Sequence, residues 1–364
     1  MIEGGTIRSV VVVGAGLIGT SIALALRQRG LDVYLADRDP SVVRLARELG
    51  AGAAWTPGVK TDVAVVAVPP HAVAQQLLEL QKHDAAAFYT DVASVKALPL
   101  EQAGRLGCDL TTYVPSHPLA GRERSGPAAA RADLFLGRPW ALCPGPDASP
   151  AAVQTILELV ALCGGNAVTL DAVEHDRAVA VISHAPHVAA AAVAARLADA
   201  SATTLGLSGQ GVRDVTRIAA GDPSLWTGIL SGNAGAVAEV LEEVAVDLAL
   251  AARSLREFSA GASPIDPVTD LLRRGNAGRG RIPGKHGGPA RTYEVVQVVI
   301  GDRPGELARL FQVAEQVGVS IEDVQLEHVP GLPLGAVELS VQPEAVAVLS
   351  EALRGHGWDV PDPA

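Results

Sequence analysis

Gly14, Gly16 and Gly19 stand at G-x-G-x-x-G spacing, with Leu17 and Ile18 in the last two intervening positions, and the chemistry open to such a loop is phosphate binding. The first glycine permits a tight turn, the second lets backbone approach a pyrophosphate, and the third allows close packing of helix on strand. The helix N-terminus that follows favours the anion. The spacing is a weak signal by itself and gains weight from its place between an apolar strand-like run and an apolar helix-like one. Asp37 stands about where an acid accepts hydrogen bonds from an adenosine ribose and repels a 2′-phosphate, which selects NAD over NADP. Arg38 argues the other way, because a guanidinium there accepts a 2′-phosphate.

Other polar groups gather further along. Thr90-Asp91-Val92-Ala93-Ser94-Val95-Lys96 and the stretch Ser116 to Gly126, which contains His117, Arg122, Glu123 and Arg124, fall after strands or in loops. A neutral imidazole titrates near physiological pH, so His117 is a candidate to abstract a hydroxyl proton; a solvated loop histidine is the alternative. Ser183-His184-Ala185-Pro186-His187 sets two histidines three apart, facing one side if a helix continues through Pro186. No carboxylate stands at metal spacing beside them, so no metal is expected. In Gly209-Gln210-Gly211-Val212-Arg213-Asp214-Val215-Thr216-Arg217, Arg217 lies one turn beyond Asp214, the spacing of an i,i+3 pair on a solvated helix.

These residues need a frame. Val10 to Val13 reads as a strand, Leu17 to Leu26 as a helix and Val33 to Ala36 as a second strand. Val63 to Val68 is a further buried strand whose end, Val68 and Pro69, lies at the sheet edge where cofactors bind, although two prolines there equally suit a plain strand stop. Later strands at Ala87 to Thr90, Trp140 to Cys143 and Ala167 to Leu170 alternate with helices, which predicts an α/β fold of Rossmann type with a doubly wound, mostly parallel sheet. From Ala172 to about Ser259 strand signals vanish and an all-helical second domain is expected. Gly275 to Pro289 is rich in glycine and reads as a linker, and a βαββα unit follows it.

Composition narrows the function classes. The 364 residues exceed one ordinary core, so two or three domains are expected. A formal charge of −11 argues against nucleic acid or an anionic membrane as partner. Three scattered cysteines suggest neither disulfides nor a zinc site and fit a reducing cytoplasm. The start lacks a signal peptide pattern, and the apolar stretch from Val188 is broken by Arg196 and Asp199, so no membrane span is expected.

In this order, the glycine fingerprint, D-V-A-S-V-K, H-P-L-A-G-x-E-x-S-G, S-H-x-P-H and G-x-R-D-x-T-R-I-A resemble the prephenate and arogenate dehydrogenases over nearly residues 8 to 260. The resemblance implies NAD-dependent oxidative decarboxylation of a cyclohexadienol by a homodimer. It implies His117 as catalytic base, Ser94 orienting the substrate hydroxyl and that histidine, and Glu123 in the polar network. His187 and Arg217 are then binders of substrate carboxylates. Gln210 stands where family members often have glycine, and Arg122 and Arg124 flank Glu123 with unusual charge, which bears on whether the substrate is prephenate, arogenate or an aminodeoxyprephenate. Related hydroxyacid dehydrogenases and imine reductases would explain the glycines but not His117-Pro118 with Arg217. A non-enzymatic, NAD- or amino-acid-responsive binding protein would rest on the fingerprint and the last domain alone.

That last domain, from Val299-Ile300-Gly301-Asp302-Arg303-Pro304-Gly305 onward, resembles an ACT domain of ferredoxin-like fold over residues 292 to 360. Pro304 and Gly305 shape a loop before a helix whose free N–H groups suit an amino-acid carboxylate, with Asp302 beside it and L-tyrosine as the implied effector. A dimerisation module without ligand is the other reading. The expected divisions are 1–171 Rossmann domain, 172–274 helical domain, 275–290 linker and 291–364 regulatory domain.

Overall fold

The computed structural model describes residues 6–121, 125–261, 264–283, 293–328 and 334–361. Arg122, Glu123 and Arg124 lie outside the described residues, as does the expected linker from 284 onward. The chain divides into two units, Met1–Val246 and Asp247–Ala364, with the division inside one long helix.

In the first unit β1 (Ser9–Val13), α1 (Leu17–Gln28), β2 (Asp32–Ala36), α2 (Pro40–Glu48), β3 (Ala53–Ala54), β4 (Thr61–Val66), α3 (Val73–Lys82) and β5 (Ala86–Asp91) follow one another. The strands pair in the order β3-β2-β1-β4-β5, all parallel. Continuous β-branched runs make such strands because both faces are buried. Val10, Val12, Val63 and Val65 enter one core, while Val11, Val13, Ala64 and Val66 enter the core on the opposite face. The strand order reverses at β1, so β1 and β4 flank the crevice where ligands of such sheets bind.

α4 (Ala97–Arg105), β6 (Ser116–Pro118), β7 (Pro139–Leu142), α5 (Pro150–Leu162) and β8 (Asn166–Thr169) come next. The strands expected around Trp140 and Ala167 do not extend the parallel sheet. They form a second sheet, β6-β7-β8, in which β6 and β7 are antiparallel and β7 and β8 parallel. Pro115 and Pro118 lack the N–H a ladder needs, and among the described residues β5 keeps the single bridge Tyr89–Tyr113 toward this segment.

The region beyond is helical as expected: α6 (Ala172–Val179), a wide π turn at Ala180–His184, α7 (Ala185–Ala195), α8 (Ala202–Gly206), α9 (Gln210–Arg217), α10 (Pro223–Gly232) and α11 (Ala234–Ser259). The π turn has a local cause. Pro186 cannot donate to the carbonyl of Ile182 and its ring crowds that carbonyl, so widening the preceding turn keeps the helix continuous. Ala172–Ala195 is long and apolar enough to cross a membrane by length and composition, yet its His175, Asp176, His184 and His187 are buried against protein groups.

In the second unit α12 (Asp266–Gly280) lies beside the end of α11, with Arg274 bidentate on Asp247 at 3.1 and 2.7 Å. Residues 275–280, expected to begin the linker, continue this helix, because Asp266 and Pro267 start it and its Arg274 side chain is pinned to Asp247 and Asp270. Then come β9 (Glu294–Gly301), α13 (Glu306–Gln316), β10 (Asp323–His328), β11 (Leu334–Val341) and α14 (Val346–Gly355), the βαββα order read from the sequence. The antiparallel sheet runs β10-β11-β9, and Asp359 bridges Val299 on its far side. Val296, Val298 and Ile300 point inward beneath Leu310, Val313, Leu349 and Leu353.

Candidate active site

The glycine loop occupies the crevice between β1 and β4. Gly14 has φ +100°, and a Cβ on it would fall 2.2 Å from the carbonyl oxygen of Ala67; one on Gly19 would fall 1.9 Å from the carbonyl oxygen of Gly14. Those two glycines are required by packing of the loop on itself and on the end of β4. Gly16 differs, since a Cβ there would meet nothing within 4 Å. It caps α1 without a side-chain hydrogen bond and leaves open space at the start of the helix, where Leu17 and Ile18 are half-buried. That is the space a pyrophosphate needs. Val68 lies against Gly14, and the Pro69 carbonyl accepts from the Ala72 N–H at 2.9 Å, starting a helical turn directly after the strand. Asp37 is half-buried and accepts from the Ala15 N–H at 2.8 Å and the Asp39 N–H at 3.0 Å, so it ties the end of β2 to the glycine loop; Arg38 is exposed.

β5 ends in a buried polar network. Asp91 and Lys96 form an ion pair with both side chains fully buried, and Lys96 also donates to the Ser116 carbonyl at 2.7 Å. Tyr113 donates to Asp91 at 2.6 Å, and burial, then the Asp91 charge, pushes its phenol well above the usual range. Ser116 Oγ donates to the Asp91 carbonyl at 2.8 Å and accepts from Trp140 and Thr90. A segment of six residues is thereby locked to β6, which carries His117.

His117 is partly exposed. Its Nδ1 lies 3.0 Å from Nε2 of His175, and its Nε2 has no partner among the described residues. Desolvation, then the positive charge of Lys96, holds its pKa well below the ordinary histidine value, so the ring is neutral at physiological pH. Ser94 is half-buried in the loop before α4, but among the described residues it makes no hydrogen bond to His117; that contact belongs to His175. α6 brings in His175 and Asp176, and nothing in the residue spacing singles them out: they are the middle two of four consecutive ionisable residues, Glu174 to Arg177, and only burial separates them from the outer two.

His184 and His187 face one ring, Trp226, which His184 meets edge-on with centroids 6.2 Å apart. Nδ1 of His184 lies 3.2 Å from Nδ2 of Asn233, which also donates to the Asp176 carbonyl at 2.6 Å. His187 stacks on Trp226 with ring centroids 3.5 Å apart. Burial lowers the pKa of both, that of His184 to about 4. Gly221 makes the stack feasible, since a Cβ there would lie 2.3 Å from Nε1 of Trp226 and 2.9 Å from the His187 ring. Arg217 is exposed at the end of α9, which packs on α7, the helix that carries His187. No i,i+3 pair between Arg217 and Asp214 is found among the described residues; Asp214 accepts from Gln210 Nε2 at 2.8 Å, one turn earlier. Gln210 is exposed and spends its amide on that contact. Glu123 lies outside the described residues.

Of the C-terminal loop residues, Gly305 takes the left-handed conformation expected of it, φ +92°, and caps α13 directly after Pro304; Asp302 lies on the exposed loop between β9 and that cap. Arg309 of α13 lies 4.3 Å over the Trp358 ring, and Trp358 donates to Glu306 at 3.3 Å.

With this geometry in place, comparison with known proteins is specific. A family model described as the nucleotide-binding domain of prephenate dehydrogenase matches residues 22–169, and one described as its dimerization domain matches residues 171–260. The probable prephenate dehydrogenase NovF of Streptomyces niveus is 42% identical over 357 residues, 96% of this chain and 99% of that protein. Synechocystis arogenate dehydrogenase superposes with a TM-score of 0.61 at 27% identity, covering 74% of this chain and 98% of that one. Prephenate dehydrogenase from A. aeolicus, solved with hydroxyphenyl propionate and NAD+, superposes with a TM-score of 0.67 at 24% identity, covering 76% of this chain and 99% of that one.

Proposed function

We propose, from the premise that this chain belongs to the prephenate dehydrogenase family, that it converts prephenate to 4-hydroxyphenylpyruvate by NAD-dependent oxidative decarboxylation. The observation that carries the reading is a neutral His117 with one ring nitrogen unpartnered among the described residues, on the strand that follows the C-terminal edge of a sheet whose glycine loop leaves room for a pyrophosphate. NAD, which the Gly14 to Gly19 loop and Asp37 would hold, would supply the acceptor for the hydride leaving C4 of the substrate. His117 takes the proton of the C4 hydroxyl, and loss of the ring carboxylate as carbon dioxide leaves an aromatic ring. Ser94, in the same loop as Lys96, orients the hydroxyl; His187, fixed by Trp226, and Arg217 hold substrate carboxylates, Arg217 by a bidentate contact. Glu123 and Gln210 complete the site as access and side-chain specificity groups, and Asp37 selects NAD.

The test is NADH formation with prephenate, arogenate and aminodeoxyprephenate, each with NAD and with NADP. Prephenate with NAD gives the highest kcat/KM. A higher value on an amino substrate moves the chain to that branch of the family, and no oxidation of any of them leaves only a binding protein.

The helical region 172–274 is read as the substrate and dimerisation domain of a cytoplasmic homodimer; the three buried, free thiols suit a reducing compartment. Residues 293–361 are read as an ACT domain, supported by the βαββα order, the bridge from Asp359 and the Gly305 cap. L-tyrosine is then its effector, with a coupling of about 1 to 3 kcal/mol. Tyrosine inhibition is compared in the full chain and in a chain ending near Ala290 that retains activity. Equal inhibition in both places tyrosine at the catalytic site instead.

A further inference from the structure

His117 is the first member of a chain of contacts. Nδ1 of His175 lies 2.8 Å from Oδ1 of Asp176, and the same carboxylate accepts the backbone N–H groups of Lys96 at 2.8 Å and Ala97 at 2.9 Å. An ionised carboxylate can only accept. Three donors therefore point at it, and one of them is Nδ1–H of His175. A neutral His175 then presents a lone pair at Nε2, which obliges His117 to donate from Nδ1. The lone pair of neutral His117 is left on Nε2, the nitrogen that has no partner among the described residues.

We propose that His175 and Asp176 are positioning residues for the reaction, holding His117 in the Nδ1–H tautomer that offers Nε2 as base and sharing the positive charge it gains. The proposal rests on His117 being that base. When Nε2 takes the hydroxyl proton, the imidazolium keeps its Nδ1–H on His175, and His175 keeps its Nδ1–H on Asp176; no other bond changes. The charges facing His117 work against one another. Asp176, through the hydrogen-bonded chain, favours the imidazolium, while Lys96 opposes it, with its own charge partly offset by Asp91; His175 and His184 oppose it too whenever they are themselves protonated to the charged form, and His184 is neutral above about pH 4.

Asp176 also ties the 96–97 backbone, so its removal threatens the fold and His175 is the better probe. His175→Phe is expected to lower kcat about 10²-fold or more with little change in KM for NAD. It also moves the acid limb of the kcat/KM profile to lower pH, since His117 loses the group that favoured its charged form. His175→Gln can still accept from Nδ1–H but lacks the imidazole that connects that contact to the Asp176 carboxylate, so it restores part of kcat. In protein labelled with ¹⁵N-histidine, proton–nitrogen correlations assigned with His117→Asn show His117 protonated on Nδ1 in the unsubstituted chain and a tautomer mixture in His175→Phe. An Nε2–H tautomer in the unsubstituted chain overturns the proposal, as does a His175→Phe enzyme with unaltered kcat and pH profile. Full activity in His117→Asn instead sinks the base assignment, while the tautomer measurement still reads the contact chain.

Discussion

The glycine loop and the histidine cluster serve the same reaction, yet they are built from opposite materials. The loop is six consecutive residues whose function comes from missing side chains: Gly14 and Gly19 let backbone pack on backbone, and Gly16 leaves space open. The cluster assembles side chains from Asp91 to Asn233, drawn from β5, β6, α6, α7 and α10, and its function comes from buried charge and directed hydrogen bonds. Substitutions in the first act through sterics. In the second they act through groups left unpaired in a low-dielectric interior, where the cost is greater.

The largest effect expected in the cluster is catalytic. His117→Asn lowers kcat by roughly 10²- to 10⁴-fold, the scale of a general base, and leaves NAD binding almost unaltered because the loop is untouched. A kcat near that of the unsubstituted enzyme would place the base elsewhere and leave the two regions without division of labour.

Next in size is Lys96→Met. Removing one member of a fully buried ion pair strands Asp91, at a cost of about 3 to 5 kcal/mol in unfolding free energy. The double variant with Asp91→Asn recovers part of this if the stranded charge is the cause. Because Lys96 lowers the His117 pKa, any activity that survives has its acid limb at higher pH, opposite to the shift expected for His175→Phe.

A smaller, graded effect follows from the neutral histidines. His117, His184 and His187 all titrate below the ordinary value of about 6.5 when folded. The unfolded chain therefore binds more protons below that pH, so stability falls as pH drops from about 6.5 toward the His184 value of about 4. Melting curves that are flat across this window would mean that the cluster accepts protons while folded.

The same contrast explains what was legible in the sequence. A fingerprint confined to residues 14–19, strands made of runs such as Val10–Val13, and the βαββα order of the C-terminal unit are all set by local pattern and could be read directly. His117, His187 and Arg217 were visible through their motifs, but not what holds them. His175 meets His117 across 58 positions of chain, Asn233 meets Asp176 across 57, and Trp226 stacks on a histidine of another helix. No periodicity encodes such pairs. Lys96 was read as one polar group in a motif, while its complete burial follows from the tertiary location of Asp91 and Ser116. The second sheet was missed for a related reason, since strand pattern does not say which sheet a strand joins.

The smallest effect on stability is expected at Gly16, and it tests the loop's side of the contrast most closely. With φ −73° and ψ −162° the residue is in a conformation open to any L-amino acid, and an added Cβ touches nothing within 4 Å. Gly16→Ala should therefore keep unfolding free energy within about 0.5 kcal/mol. The methyl group nonetheless enters the space over the start of α1, so KM for NAD rises while the acid limb of the pH profile, which belongs to the cluster, stays in place. Gly14→Ala is its counterpart, since a Cβ 2.2 Å from the Ala67 oxygen cannot be accommodated and the fold itself weakens. If Gly16→Ala binds NAD as well as the unsubstituted chain does, the pyrophosphate does not approach Gly16, and the open space there is incidental to the turn that Gly14 and Gly19 require.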